Sequence, residues 1–142
     1  LPFNPRHKVL GVATYRSAGE RWQFDANLHW YGKQRLPDTR QSITHKFSIA
    51  GHEGYITVGL FPDGRPGEMF ITAAKVGSVL RGLFDAMATM ASYALKYGVP
   101  ATAVAEALIS FEFEPRGATG DPEHPQAKSI VDWIGKRLLA AS

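Results

Sequence analysis

The chain has 142 residues, of which 44% are hydrophobic and 20% are charged, and this composition is typical of one ordinary globular domain. It contains no cysteine, which excludes disulfide frameworks, thiolate metal sites and thiol nucleophiles. The net charge of +3 is unevenly distributed, because residues 1–46 carry +5 and the remaining residues carry −2.

Residues 1–41 are predicted to form a basic N-terminal arm that contains a β-hairpin. Two apolar segments, Val9 to Tyr15 and Trp22 to Trp30, favour strands, and residues 17–20 favour the turn between them. Residues 42–142 carry sharper periodic signals. We therefore predict a division into an arm and an α+β domain at residue 42.

Three strands are predicted at the start of the domain. Apolar side chains alternate with polar ones from Ser42 to Ile49, with a turn signal at Gly51, and two further strand segments run from Tyr55 to Phe61 and from Glu68 to Thr72. The pair Asp63-Gly64 is typical of a tight turn between antiparallel neighbours. The expected sheet is an antiparallel meander.

The hydrophobic period changes from 2 to 3.6 after Gly77. A helix is predicted from Ser78 to Tyr97, with Ser78 as its N-cap and Gly98 as its stop signal. We expect its apolar stripe to be buried against the meander; the stripe consists of Leu80, Leu83, Phe84, Met87, Ala91 and Leu95.

Two more helices are predicted after this one. The second runs from Ala101 to Ile109, and the third from Gln126 to Ala140. Between them, Phe111 and Phe113 alternate with glutamates, which favours an edge strand with an apolar inner side. The predicted fold class is α+β: a three-stranded antiparallel meander, which the N-terminal hairpin could extend, covered on one face by three helices.

No apolar stretch approaches the roughly 20 residues that a transmembrane helix needs, and the N-terminus has no apolar signal core. We therefore expect a soluble, cytoplasmic protein without a membrane partner. The chain begins with Leu1 and not with Met, so we expect either a processed protein or a piece of a longer one.

The candidate binding residues are Arg35, Arg40, His45 and Lys46, which lie near aromatic residues such as Tyr31 and Phe47. Cations interleaved with aromatic rings are typical of sites that bind nucleotides or single-stranded nucleic acid. The structural alternative is a solvated basic segment whose aromatic rings belong to the core, and both interpretations remain open at this point.

No catalytic residue and no metal ligand is predicted. Glu112 and Glu114 share a spacing that an acid/base pair could use, but the edge-strand pattern explains the same spacing. The five histidines are too dispersed for a local metal motif, and His45 is better explained as a half-buried strand residue.

Six stretches from Lys33 onward resemble the C-terminal region of class II, adenosylcobalamin-dependent ribonucleotide reductases. They run in order over about 110 residues. They are Arg35-Leu-Pro-Asp-Thr-Arg-Gln-Ser-Ile-Thr-His-Lys46, Gly51-His-Glu-Gly-Tyr-Ile-Thr-Val-Gly59, Asp63-Gly-Arg-Pro-Gly-Glu68, Tyr97-Gly-Val-Pro100, Phe113-Glu-Pro115 and Ala127-Lys-Ser-Ile-Val-Asp132.

The resemblance implies a small domain named after a Thr-Ser-Cys-Pro-Asp stretch, which also occurs in free-standing relatives. The related full-length enzymes use adenosylcobalamin, a cysteine that becomes a thiyl radical, and reducing cysteine pairs. This chain has neither that stretch nor any cysteine. The resemblance therefore implies a non-catalytic accessory or regulatory part of a ribonucleotide reductase, without a cofactor of its own.

The expected partners follow from the same resemblance. They are the catalytic domain or subunit of the reductase, a second copy of this chain, or a nucleotide. The rival hypothesis is a nucleic-acid-binding module that uses the basic N-terminal arm.

Overall fold

The computed structural model describes the backbone of residues 8–16, 23–73 and 77–142, and it describes the side chains of these residues from residue 32 onward. The elements in these ranges are β1 Lys8–Arg16, β2 Gln23–Tyr31, β3 Ser42–Ile49, β4 His52–Leu60, β5 Pro66–Ala73, α1 Ser78–Lys96, α2 Ala101–Leu108, β6 Gly117–Ala118, β7 Gln126–Ala127 and α3 Ile130–Ala141.

The N-terminal strands β1 and β2 form an antiparallel pair. Their register runs from Lys8 opposite Tyr31 to Arg16 opposite Gln23. Strand β1 is one residue longer than predicted at each end, and β2 ends at Tyr31, one residue after the predicted end at Trp30. The predicted turn at residues 17–20, together with Trp22, lies outside the described residues.

The central sheet confirms the predicted meander, with the strand order β3-β4-β5 and antiparallel pairing throughout. The turn between β3 and β4 places Ala50 and Gly51 at φ angles of 48° and 82°. The next loop closes with a hydrogen bond of 2.8 Å from the Phe61 N–H to the Arg65 carbonyl. Gly64 has a φ of 88°, which is a conformation that glycine adopts without strain.

One face of this sheet is buried and the other is exposed. The inner face carries Phe47, Ile49, Ile56, Val58, Met69 and Ile71, each no more than 7% exposed. The outer face carries Tyr55 and Phe70, which are 47% and 53% exposed. Ile43 has the parity of the inner face but is 36% exposed, at the open end of β3. The period-2 pattern therefore predicted the buried side correctly in the middle of each strand.

Helix α1 packs on β5 through Phe84, Ala88, Ala91 and Leu95, which are buried. The predicted stripe was too wide: Leu80 and Met87 are half-buried, and Leu83 is 61% exposed because it lies on the side of the helix turned away from the sheet.

The N-cap of α1 was also placed wrongly. Gly77 is the N-cap, with extended backbone and no side-chain hydrogen bond, and Ser78 is already helical. Helix termini are the least certain part of a periodicity argument, because the period identifies the stripe and not the residue at which the turn begins.

Helices α2 and α3 pack closely against each other. A Cβ atom at Gly135 would lie 2.9 Å from the Ala105 carbonyl oxygen, so the absence of a side chain permits the close approach. On α3, Trp133 is fully buried, and its ring centroid lies 5.3 Å from that of Phe47 on β3. Trp133 therefore joins the helical layer to the sheet.

The segment between α2 and α3 differs from the prediction. Residues 111–115 form no strand, and Phe111 and Phe113 are 56% and 42% exposed, so the expected apolar inner side does not exist. The third helix begins at Ile130 and not at Gln126, because the Ser129 hydroxyl caps it by accepting a 3.0 Å hydrogen bond from the Asp132 N–H. Residues 126–127 pair instead with residues 117–118.

Within the described residues, no helix has both the length and the apolar character needed to cross a membrane.

Candidate functional site

Arg35 lies exposed in the linker between β2 and β3, beside the loop that joins β4 to β5. It lines a cleft of about 350 Å³ that also includes Phe61, Asp63 and Arg65. Arg65 forms an ion pair of 2.6 Å with Asp63 and lies 5.2 Å from the centre of the Phe61 ring. Hydrogen bonds from the Arg65 backbone and side chain lower the pKa of Asp63. The cleft thus contains one ion pair and an additional cation.

Arg40 has a different environment, because it is paired with a buried carboxylate. Its Nε atom donates to Oε1 of Glu68 on β5, whose other oxygen lies 3.9 Å from the Lys96 ammonium. Glu68 is only 5% exposed and lies across Gly59, where a Cβ atom would approach its Oε1 to 2.6 Å. Glycine at position 59 therefore makes room for this buried ion cluster.

His45 is half-buried on the inner face of β3, close to a polar network that joins α3 to the loop between β6 and β7. In this network Arg137 forms a bidentate ion pair with Asp121, with 2.6 Å between Nε and Oδ2. Trp133 Nε1 donates to the same Oδ2 atom at 2.9 Å. Arg137 also pairs with the more exposed Glu123 at 2.6 Å. Each polar side-chain atom of the buried Asp121–Arg137 pair thus has at least one hydrogen-bond partner, and a buried charge pair is tolerated only when it is hydrogen-bonded in this way.

The network shifts two pKa values. Burial lowers the pKa of His45, and the positive charge of Arg137 lowers it further, although the nearby carboxylates of Asp121 and Glu123 oppose these effects. Burial raises the pKa of Asp121, but the hydrogen bonds from Arg137, the Glu123 backbone and Trp133 outweigh burial and leave it below its usual value.

We expect His45→Gln to reduce the loss of stability on mild acidification. The pKa of His45 is lower in the folded protein than in the unfolded chain, where a histidine has a pKa of about 6.5. Protons therefore bind the unfolded chain more readily, and they shift the equilibrium towards it. The stability that the protein has above about pH 6.5 is thus partly lost as the pH falls below that value. The measurement is the denaturant midpoint of the parent and the variant at about pH 7.5 and about pH 5.5. His52→Gln, at the exposed start of β4, is the matched control. An equal acid-induced drop in the parent and in His45→Gln would contradict the prediction.

Lys46 lies on the outer face of the sheet, opposite to His45. Its ammonium is 3.5 Å from Glu53 on β4, and both side chains are about half exposed. An exposed pair of this kind contributes little to stability. The four candidate residues therefore occupy four separate environments, and the fold does not bring them together into one site.

The two glutamates considered as an acid/base pair share a cation. Arg116 pairs with Glu114 at 3.0 Å and also with Glu112.

Asp132, which is almost fully buried, accepts hydrogen bonds from the N–H groups of Ser110 at 2.8 Å and Lys128 at 3.1 Å. Burial raises the pKa of Asp132, but Lys136 and these two N–H groups lower it below its usual value. The Asp132 carboxylate thus holds the segments at Ser110 and Lys128 against the start of α3.

No group of three or more histidine, aspartate or glutamate side chains that could hold a metal ion occurs in the described residues.

The sequence patterns did not predict the four charged residues that the fold buries in ion pairs or hydrogen bonds. They are Glu68, Asp121, Asp132 and Arg137. Glu68 carried only a weak signal, as the one charged residue in the predicted strand from Glu68 to Thr72, because its place opposite Gly59 is a property of the folded sheet. Asp121 carried none, because it lies in an irregular loop 16 residues from its partner.

The chain matches known proteins over most of its length. Residues 25–142 match the model of the TSCPD domain. A vitamin B12-dependent ribonucleotide reductase from Rhodopirellula baltica is 56% identical over 106 residues, which are 75% of this chain and 10% of that enzyme. The enzymes of the same name from Streptantibioticus cattleyicolor and Agrobacterium fabrum are 42% and 37% identical, over 18% and 9% of their lengths. No solved structure matches the chain.

The chain thus spans between about a tenth and a fifth of these relatives. The matched region contains the whole meander and all three helices. The chain belongs to the TSCPD domain family and is homologous to a segment of vitamin B12-dependent ribonucleotide reductases.

Proposed function

We propose that this chain is a non-catalytic accessory domain that serves deoxyribonucleotide synthesis by binding to the catalytic part of a vitamin B12-dependent ribonucleotide reductase. The observation that carries the proposal is the 56% identity to one small segment of such an enzyme, combined with the absence of cysteine from the chain. Identity at this level supports a shared role for the matched segments. Without a thiol, that role excludes thiyl chemistry on this chain.

The use of the charged side chains supports a binding role. Glu68, Asp121 and Asp132 are each buried and engaged by cations or N–H groups. A general acid or base must reach the proton that it transfers, and these carboxylates are already occupied in holding elements together. The outer face of the sheet, in contrast, presents Tyr55 and Phe70 to solvent, and aromatic side chains are enriched at protein interfaces.

The cofactor of the relatives does not fit the described clefts. Three clefts along residues 33–96 have volumes of about 350, 390 and 410 Å³, which suit a small ligand and not a corrin ring with its nucleotide loop and adenosyl group. We assign no cobalamin contact to them.

The proposal predicts association without turnover. The experiment mixes this chain with the Rhodopirellula baltica enzyme produced without its matching segment, and it follows co-elution in gel filtration and reduction of ribonucleotides with adenosylcobalamin and dithiothreitol. We expect no turnover by this chain by itself, co-elution with the shortened enzyme, and greater activity of the mixture than of the shortened enzyme. The detached segment of that enzyme is the matched positive control.

Three outcomes would overturn the proposal. One is ribonucleotide reduction by this chain by itself. A second is failure to associate while the detached control segment associates. A third is binding to single- or double-stranded DNA that weakens with a log–log salt slope of about one per phosphate contact, combined with no binding to the enzyme, which would favour the nucleic-acid hypothesis.

A further inference from the structure

A groove of about 410 Å³ runs between strand β5 and helix α1. Five consecutive residues of β5, from Glu68 to Thr72, line one wall, including both the inward and the outward positions of the strand. Consecutive strand residues point to opposite faces of a sheet, so a groove lined by all five runs along the edge of the strand and not over one face. The other wall is a stripe of α1 that extends over three turns, from Asp85 to Lys96.

Among the residues that the structure describes, β5 is an edge strand, since the sheet order ends with it. The Ser92 hydroxyl accepts from the Met69 N–H at 2.8 Å and donates to the Met69 carbonyl at 3.1 Å, so both backbone groups of Met69 point away from β4. In an antiparallel ladder the direction alternates, and the N–H and C=O of Ile71 therefore point to the same open side. Ser92 thus provides a hydrogen-bond donor and an acceptor for the backbone of Met69. In the described part of the chain, no side chain provides them for the backbone of Ile71.

The two ends of the groove differ in charge. At one end the Lys33 ammonium lies 4.7 Å from the centre of the Tyr93 ring, and Lys96 approaches Glu68 only to 3.9 Å. Glu68 is already held by Arg40, so among the described side chains three cations surround one carboxylate at this end. Asp85 lies on α1 about three turns before Lys96, at the other end. The groove is thus complementary to a ligand that has a negative charge at the lysine end.

We propose that this groove binds an extended peptide that adds to β5 as a fourth strand and places a carboxylate side chain between Lys33 and Lys96. Strand addition supplies main-chain hydrogen bonds at Ile71, and the groove between strand and helix supplies side-chain contacts. Ser92 limits the added strand to the part of β5 beyond Met69. The acidic residue is therefore the terminal residue of the added strand nearest Met69, and its side chain extends past Ser92 towards the two lysines. The inference goes beyond the proposed function, because it assigns a peptide site to this chain whichever protein provides the peptide.

The test is a titration of the full, isotope-labelled chain with two short peptides, Ac-Val-Thr-Val-Thr-Glu-NH2 and Ac-Glu-Thr-Val-Thr-Val-NH2, followed by NMR. The two orders distinguish antiparallel from parallel addition. Versions with Gln in place of Glu measure the contribution of the carboxylate. We expect saturable shifts and slower hydrogen exchange at the Ile71 amide for one of the two Glu peptides.

Two variants locate the site, each with a matched control. Thr89→Trp fills the groove from α1 and should weaken binding at least about tenfold, whereas Thr102→Trp on the exposed surface of α2 should bind like the parent. Lys33→Gln should reduce the preference for Glu over Gln, because only Lys96 then remains beside the carboxylate, whereas Lys46→Gln should leave the preference unchanged.

The proposal is overturned by the absence of saturable shifts at about 1 mM peptide. It is also overturned by shifts centred on Tyr55 and Lys46, outer-face residues that do not line the groove, or by equal binding to Thr89→Trp and Thr102→Trp. None of these results bears on co-elution with the shortened reductase, so the two proposals fail separately.

Discussion

Asp121→Ala is expected to destabilise the protein by about 3–5 kcal/mol, because it leaves the Arg137 guanidinium buried without its main partner. The two side chains are 1% and 6% exposed, so water cannot replace the lost carboxylate. The same substitution removes the acceptor of the Trp133 indole N–H, at the point where α3 meets the sheet. Urea denaturation, with the free energy of unfolding extrapolated to water, measures the effect.

Two companion variants separate the buried pair from charge in general. Glu123→Ala removes a carboxylate that also pairs with Arg137 but is 68% exposed, and we expect a loss of no more than about 1 kcal/mol. Asp121→Ala combined with Arg137→Met should recover much of the loss, because it leaves no unpaired buried charge. If Asp121→Ala and Glu123→Ala have the same small effect, the network does not organise this part of the core.

Phe84→Ala is expected to cost about 3–5 kcal/mol, a large share of the 5–15 kcal/mol by which a typical domain is stable. Phe84 is 5% exposed and belongs to the cluster that joins α1 to the sheet. Removing its ring leaves a cavity that the surrounding side chains fill only in part.

Leu83→Ala is the control for Phe84→Ala, since the two residues are neighbours on the same helix and Leu83 is 61% exposed. We expect its unfolding free energy to stay within about 0.5 kcal/mol of the parent. Thermal and urea denaturation of both variants measure the difference. A Phe84→Ala variant as stable as Leu83→Ala would show that α1 does not pack as described.

Local patterns in the sequence were sufficient for the three strands of the meander and for the order of the three helices, but they missed the short pair β6–β7. The alternation from Ser42 to Ile49 and the Asp63-Gly64 turn predicted an antiparallel meander, since both depend on backbone geometry within a few residues. The period of 3.6 after Gly77 predicted α1 for the same reason. The homology found in the chain agrees with the resemblance carried by the six stretches from Lys33 onward.

Tertiary contacts decided the rest, because they depend on which element lies against which. Periodicity placed Leu83 and Phe84 in one stripe, but α1 packs on a single edge strand, and only Phe84 reaches it. The burial of Glu68 required Arg40, Lys96 and the space at Gly59 to converge on it from three other parts of the chain. The Asp121–Arg137 pair joins an irregular loop to a helix, and no local period links two such segments, so its existence followed only from the folded structure.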